Sequence, residues 1–391
     1  MAKHSPLKTA ASFIFILVLV VGLSTVSNRI WGGRPEASPK PRELVIEPGM
    51  TIARFGQVNE LPDPVLKEIF GLENEADLQK ELKAYGSTGQ IAAMVKGKLA
   101  LAAEHAGKNW IKIPVKFGLW FAFLASVFIL MAKRRVTPGL RNGVLFASFM
   151  LFGVALGADP SPMGTVKDAI HLYATSQVIF PPRLIALAVF LAIVLLANKY
   201  ICAWGCQAGT LQDLLFRLNR TDQAKAVIGR QIKPPFALTN TVRCAFFLLF
   251  TLAAFSSGID IIDPIDPFKI YKPAYLGLSG ALFAGLLSLA CLFVYRPWCH
   301  LFCPFGLVGW LMEKTSLVRI SVDYESCIAC GKCAAACPST VMGAILKQDR
   351  KTIPDCFACY TCREVCPTDA IRFSTRKRTL PPTGHFGKSQ Q

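Results

Sequence analysis

Cys327-Ile-Ala-Cys330-Gly-Lys-Cys333-Ala-Ala-Ala-Cys337-Pro338 is matched further on by Cys356-Phe-Ala-Cys359-Tyr-Thr-Cys362-Arg-Glu-Val-Cys366-Pro367. Each run spaces three thiols two residues apart and places a fourth three residues later, just before a proline. With this spacing, three thiolates hold one [4Fe–4S] cube, and the fourth, turned away at the proline, reaches the other cube. Cys327, Cys330, Cys333 and Cys366 are therefore expected to bind one cluster, and Cys356, Cys359, Cys362 and Cys337 the second. Neither a disulfide framework nor a zinc site calls for two matched runs that both end in Cys-Pro.

Such an α+β two-cluster ferredoxin domain takes up residues 318 to 376 of a 391-residue chain. Hydrophobic residues make up 52% of the whole and charged residues 17%, and the mean hydropathy is +0.41. That is too apolar for a soluble domain of this length, so the expected fold class is an α-helical integral membrane protein. About six apolar stretches approach the roughly 20 residues that a helix needs to cross a bilayer. They lie near 10 to 27, 113 to 132, 142 to 158, 183 to 201, 237 to 256 and 274 to 295. The first follows the basic residues Lys3 and Lys8; its long apolar run, with no clear small-x-small site after it, suggests an uncleaved anchor over 1 to 27 rather than a signal peptide.

Charge asymmetry sets the expected sidedness, because basic loops resist translocation. Lys133, Arg134, Arg135 and Arg141 separate the second and third stretches, and Arg217, Arg220, Lys225, Arg230 and Lys233 separate the fourth and fifth. The alternate loops carry Asp159, Asp168, Asp260, Asp263 and Asp266. Both chain ends are then cytoplasmic in a bacterial inner membrane, which puts the cysteine runs in a reducing compartment. The formal net charge of +18 is explained by these loops and the basic tail, 377 to 391, without nucleic acid.

Residues 28 to 112 face outward. A linker with Pro35, Pro39, Pro41 and Pro48 leads into short amphipathic helices with glycine stops around Met50 to Leu72. The segment has no cysteine, and its one histidine is His105, so it reads as a structural or docking module.

The membrane core, 113 to 317, reads as two copies of a two-helix unit. In each, an Asp-Pro loop is followed by an apolar stretch and then Cys-x3-Cys: Asp159-Pro160 with Cys202 and Cys206, and Asp263-Pro264 with Cys299 and Cys303. Gly209, Leu211 and Leu214 follow Cys206 at the offsets at which Gly306, Val308 and Leu311 follow Cys303. Parallel repeats of this kind would bring the four thiols together at the cytoplasmic face. Cys202, Cys206, Cys299 and Cys303 are candidates for a third metal centre, for redox thiols or for cluster contacts. Cys244 and Cys291, within stretches and without spaced partners, read as packing residues.

Taken together, the chain from about 140 to 376 resembles the membrane polyferredoxin family, which includes NapH-type quinol dehydrogenase subunits and the C-terminal part of NosR-type proteins. Cys202, Cys206, Cys299, Cys303, Pro304 and the two runs carry the resemblance; Gln207 stands where the first unit should have a proline. The resemblance implies electron transfer between the quinone pool and other redox subunits, and ties some relatives to copper handling. No serine- or threonine-rich flavin-attachment signature is present. The expected function is membrane-bound electron transfer between quinone or a redox partner and the clusters, with a metal (copper) reductase or assembly factor as the alternative. His171, Asp168, Trp204, His300 and Trp298 are candidate head-group contacts. No Cys-x-x-Cys-His occurs and no histidine lies deep in a stretch, so no haem is expected.

Overall fold

A computed structural model describes residues 5–31, 44–47, 49–106, 109–159, 161–221, 225–347 and 355–386. The proline-rich linker, with Pro35, Pro39, Pro41 and Pro48, and Pro160 of the first Asp-Pro loop lie outside these residues.

Helix α1 (Pro6–Ile30) begins where the Ser5 side chain accepts the Lys8 N–H and Pro6 takes the first helical position. Helices α2 (Ile52–Val58), α3 (Asp63–Phe70) and α4 (Thr88–Ala106) follow. They bury Ile52, Phe55, Leu66, Ile69, Ile91 and Val95 in a core of their own, joined by Leu82 from a 3-10 turn. Gly71, at φ 66°, ends α3 as a left-handed cap. The main bundle continues with α5 (Lys112–Ala132), α6 (Pro138–Phe149) running into a π-turn at Met150–Ala155, α7 (Pro162–Ser176) and α8 (Pro181–Ala197). Then come α9 (Tyr200–Trp204), α10 (Gln207–Leu218), α11 (Phe236–Ser257), α12 (Leu278–Cys291), α13 (Pro297–Leu301) and α14 (Pro304–Glu313).

Among the described residues, four helices are long and apolar enough to cross a membrane: 6–30, 112–132, 138–155 and 236–257. Of the about six stretches expected, those of α8 and α12 form shorter apolar helices. With 17 and 14 residues they rise about 25 and 21 Å, short of a core of about 30 Å. Asn198, at φ 63° and ψ −166°, stops α8 before its apolar stretch is used up. Pro273–Tyr275 forms a 3-10 turn where the sixth span was expected to begin.

The missing length is taken up by two helical hairpins, α9 with α10 and α13 with α14. Each turns at the second cysteine of a pair, so that Cys206 caps α10 and Cys303 caps α14. The glycine three residues on packs against the first cysteine: a Cβ at Gly209 would lie 2.4 Å from the Cys202 carbonyl oxygen, and one at Gly306 would lie 2.6 Å from that of Cys299. Both distances are too short for a side chain to be tolerated without moving backbone. Gly209→Ala and Gly306→Ala are each expected to cost about 1–3 kcal/mol, read as a lower midpoint of thermal unfolding in detergent.

The hairpins reach deep into the bundle. At the end of the bundle against the C-terminal domain, Arg141 on α6 pairs with Glu364 at 2.5 Å. Eleven residues along the same helix, about 16 Å of rise, the Phe152 carbonyl accepts the Gln207 side-chain N–H at 3.0 Å. α5 gives the same depth, because the Met131 carbonyl meets Tyr360 while Trp120, eleven residues back, donates to the Gly205 carbonyl. The cysteine pairs were expected at the bundle surface; instead the turn that carries Cys206 lies about half-way along the bundle.

In the C-terminal domain, strand β1 (Arg319–Val322) pairs antiparallel with β2 (Ile371–Ser374), Arg319 opposite Ser374 and Val322 opposite Ile371. Short helices α15 (Lys332–Ala336), α16 (Val341–Lys347) and α17 (Thr361–Glu364) lie between them in sequence.

Candidate functional site

The two cysteine runs fold into loops of the same shape. Ala329 and Gly331 flank Cys330 at φ 53° and 67°, and Ala358 and Tyr360 flank Cys359 at φ 53° and 69°. Left-handed backbone costs a non-glycine residue about 1–2 kcal/mol, so the same sign at four positions marks loops held to one purpose. The loops turn backbone N–H groups onto sulfur: Ala358 donates to Cys356 Sγ at 3.4 Å and Ala370 to Cys366 Sγ at 3.2 Å.

The thiols gather across the runs. Cys356, Cys359, Cys362 and Cys337 line one cavity. Cys333 has Cys327, Cys366 and Cys330 as its charged neighbours. Burial pushes the Cys333 thiol up to about 11 and that of Cys356 up to about 12, so iron binding at these positions displaces protons. Among the described residues, no three His, Cys, Asp or Glu side chains close on a single metal ion. A cube takes one thiolate at each iron corner, so its sulfurs stand apart; these spread thiols suit a cube better than a mononuclear site.

One site faces solvent and the other faces the bundle. Cys330 is exposed, whereas Cys337 and Cys362 are buried. The second loop is seated on the hairpins: Trp204, between Cys202 and Cys206, donates its indole N–H to the Ala358 carbonyl at 3.1 Å. Phe357 is buried beside His300, with ring centroids 5.0 Å apart, and beneath the Lys199 ammonium at 3.9 Å. Glu313, at the end of α14, accepts the Cys356 N–H at 3.0 Å.

Cys202, Cys206, Cys299 and Cys303 are all buried, and the charge on each would be felt by others of the set. The Gln212 amide donates toward Cys299 Sγ at 3.7 Å, and the Gly306 N–H toward Cys303 Sγ at 3.4 Å. Cys291 is buried next to Cys299, and Cys244 is exposed on α11.

Two fully buried cations, neither of them part of a recognisable motif, frame this tetrad. Lys199 pairs with Asp355, and Arg296 donates to Asp213 at 2.6 Å as well as to the Cys202 and Ala203 carbonyls. Removing one partner of such a pair costs about 3–5 kcal/mol, so these ions are fixed features. Their signal was in the sequence: Lys199 and Arg296 each stand three residues before the first cysteine of a pair.

Of the remaining candidates, His300 Nδ1 lies 3.3 Å from Asp355, and Trp298 packs on Phe302. His171 and Asp168 are not near the thiols. They line a charged cavity of about 310 Å³ at the opposite end of the bundle, with Lys167, Arg183, Asp260 and Asp266. Burial raises the Asp266 carboxyl to about 6, against the pull of Lys167. A narrower, mostly apolar cleft adjoins that cavity between α5, α7 and α8, lined by Phe117, Phe180 and Ala186 and sharing Asp159 and Asp168 with it.

Comparison with known proteins agrees with this layout. A 4Fe-4S dicluster domain matches residues 320–373, and a 4Fe-4S binding domain matches 179–225 and again 276–321, each segment containing one Cys-x3-Cys pair. YccM of Escherichia coli, provisionally named an electron transport protein, is 30% identical over 190 residues, 46% of this chain and 53% of its own. The methylamine utilization ferredoxin-type protein MauN is 27% identical over 197 residues in Methylorubrum extorquens, covering 49% of this chain and 64% of that protein. In Paracoccus denitrificans it is 29% identical over 200 residues, covering 49% and 65%. The chain spans between about half and two thirds of the length of these curated relatives. No solved structure matches it. The chain thus carries a C-terminal 4Fe-4S dicluster domain and is similar, over just under half its length, to ferredoxin-type proteins.

Proposed function

We propose that this protein carries electrons between a quinone in the membrane and a redox partner in the cytoplasm. The supporting observation is the line of cysteine sets. The exposed set around Cys330 leads to the buried set around Cys362, and the Ala358 carbonyl of that second loop is held by Trp204, between the two cysteines of the first hairpin. The four helices long and apolar enough to cross a membrane support a bundle seated in one. Basic residues at the end against the C-terminal domain make that end cytoplasmic by the positive-inside rule. The two [4Fe–4S] clusters each take one electron, which matches the two-electron oxidation of a quinol. Cys202, Cys206, Cys299 and Cys303 provide a third redox station, as ligands or as thiols, within the bundle.

Mixing oxidised, cluster-loaded protein in detergent with a short-chain benzoquinol is expected to bleach the visible absorption of the clusters. Protein that dithionite bleaches but no quinol does would refute the quinone link while leaving the clusters in place.

A further inference from the structure

Gln207 is the residue by which the first hairpin departs from the second, which has Pro304 at the same place. Its side chain is buried, with 1% exposure. The amide nitrogen donates to the carbonyls of Phe152 at 3.0 Å and Ala158 at 3.3 Å, which fixes the orientation of the group. The amide oxygen, Oε1, is buried without any hydrogen-bond partner, a state that costs about 1–3 kcal/mol.

Beside it lies a second buried polar group with capacity to spare. Lys116 is 3% exposed on α5, and its ammonium donates to the carbonyls of Gly157 and Asp159. An ammonium has three donors, so one remains beyond those two. Lys116 and Gln207 line the same small recess, with Phe117, Trp120, Phe190 and Gly205. An unmatched acceptor beside a spare donor is the complement of a hydroxyl group, which both gives and takes a hydrogen bond.

An apolar cleft adjoins this recess. Phe117 lines both the recess and the cleft between α5, α7 and α8, whose other walls include Phe180, Pro182 and Ala186. The cleft's polar rim, Asp159 and Asp168, is shared with the charged cavity at the far end of the bundle. From the recess, Trp120 reaches the cysteine hairpin by its 3.0 Å hydrogen bond to the Gly205 carbonyl, next to Cys206. Its ring is 6.4 Å from that of Phe117.

We propose that this cleft is the quinol site: the ring lies against Phe117, and one ring hydroxyl enters the recess between Gln207 Oε1 and the Lys116 ammonium. The inference rests on the quinone reading above and adds a position and a sidedness to it. Oxidation there breaks two O–H bonds and yields the quinone, two protons and two electrons. The electrons pass by way of the Cys206 turn to the two clusters, each reduced by one electron. The protons leave in the other direction, to the carboxylates around Asp168 and so to the outer face. A single turnover would therefore move electrons inward and release protons outward.

The test uses full-length, cluster-loaded protein. In Gln207→Pro the side-chain acceptor is gone, yet α10 can still begin, because proline suits a first helical position and Pro304 occupies it in the second hairpin. Bleaching of the clusters by a short-chain benzoquinol should slow at least about tenfold, as expected for a lost hydrogen bond to the reacting group. Iron content and bleaching by dithionite should be unchanged. Lys116→Met should slow quinol bleaching similarly. As a check that does not depend on any variant folding, an azidoquinone photolabel on the wild-type protein should attach within residues 110–120 or 159–168. Wild-type bleaching at the same rate in Gln207→Pro, or label confined to other segments, would overturn the site while leaving the quinone link standing. A wild-type protein that no quinol bleaches would overturn the link itself.

Discussion

Cys337→Ala is expected to remove the cluster of the run that follows it and to spare the cluster of its own run. Cys337 is buried and lines one cavity with Cys356, Cys359 and Cys362, while Cys333, four residues earlier, neighbours Cys327, Cys330 and Cys366. The chain changes sides at Pro338, so a mutation in the first run strikes the second site. Iron and acid-labile sulfide should fall from about eight to about four per chain. The EPR spectrum of the reduced protein should change from that of two interacting clusters to that of one isolated cluster. The surviving cluster would be the exposed one, still reducible by dithionite but no longer by anything that enters through the bundle. Cys330→Ala should do the reverse, sparing the cluster against the hairpins. A Cys337→Ala protein that retains about eight irons, or whose remaining cluster has lost contact with solvent reductants, would mean that the ligands are not crossed.

Much of this could be read in the sequence, because some features depend only on spacing. Two Cys-Pro runs need no knowledge of the fold to be recognised, and the equal offsets of Gly209 and Gly306 pointed to two like units. Depth was not legible. Apolar periodicity does not distinguish a helix that crosses from a helix that stops at Asn198 and sends its next eight residues back into the bundle. The basic loop residues were read only as markers of sidedness. Several of them hold the C-terminal domain: Arg217 donates to the Thr361 hydroxyl at 3.0 Å, Arg220 to the Ala336 carbonyl at 2.5 Å and Lys233 to that of Ala335 at 2.9 Å. Charge composition alone gives no hint of this second use. The buried ion pairs Lys199–Asp355 and Arg296–Asp213 are not legible in the sequence for a related reason, since the partners come from distant parts of the chain.

The double change Cys206→Ser/Cys303→Ser is expected to disconnect the clusters from quinol without disturbing the fold. Cys206 and Cys303 are the caps of α10 and α14, and serine is among the strongest N-cap residues. The hydroxyl would take the Gly306 N–H that Cys303 Sγ now accepts at 3.4 Å, so both hairpins should form. What is lost is the sulfur on the path between the cleft and the second cluster. Bleaching by benzoquinol should fall by at least about tenfold, which corresponds to about 1.4 kcal/mol in the barrier. Reduction of the clusters by dithionite should proceed as before. Iron analysis then separates the roles open to the tetrad. A wild-type content above about eight irons that drops to about eight in the variant identifies Cys202, Cys206, Cys299 and Cys303 as ligands of a third centre. An unchanged content with a lost rate means that the thiols themselves carry the electrons or position the cluster loop. If neither content nor rate changes, the tetrad lies off the path, and Trp204, bonded directly to the Ala358 carbonyl, becomes the remaining link between the hairpins and the clusters.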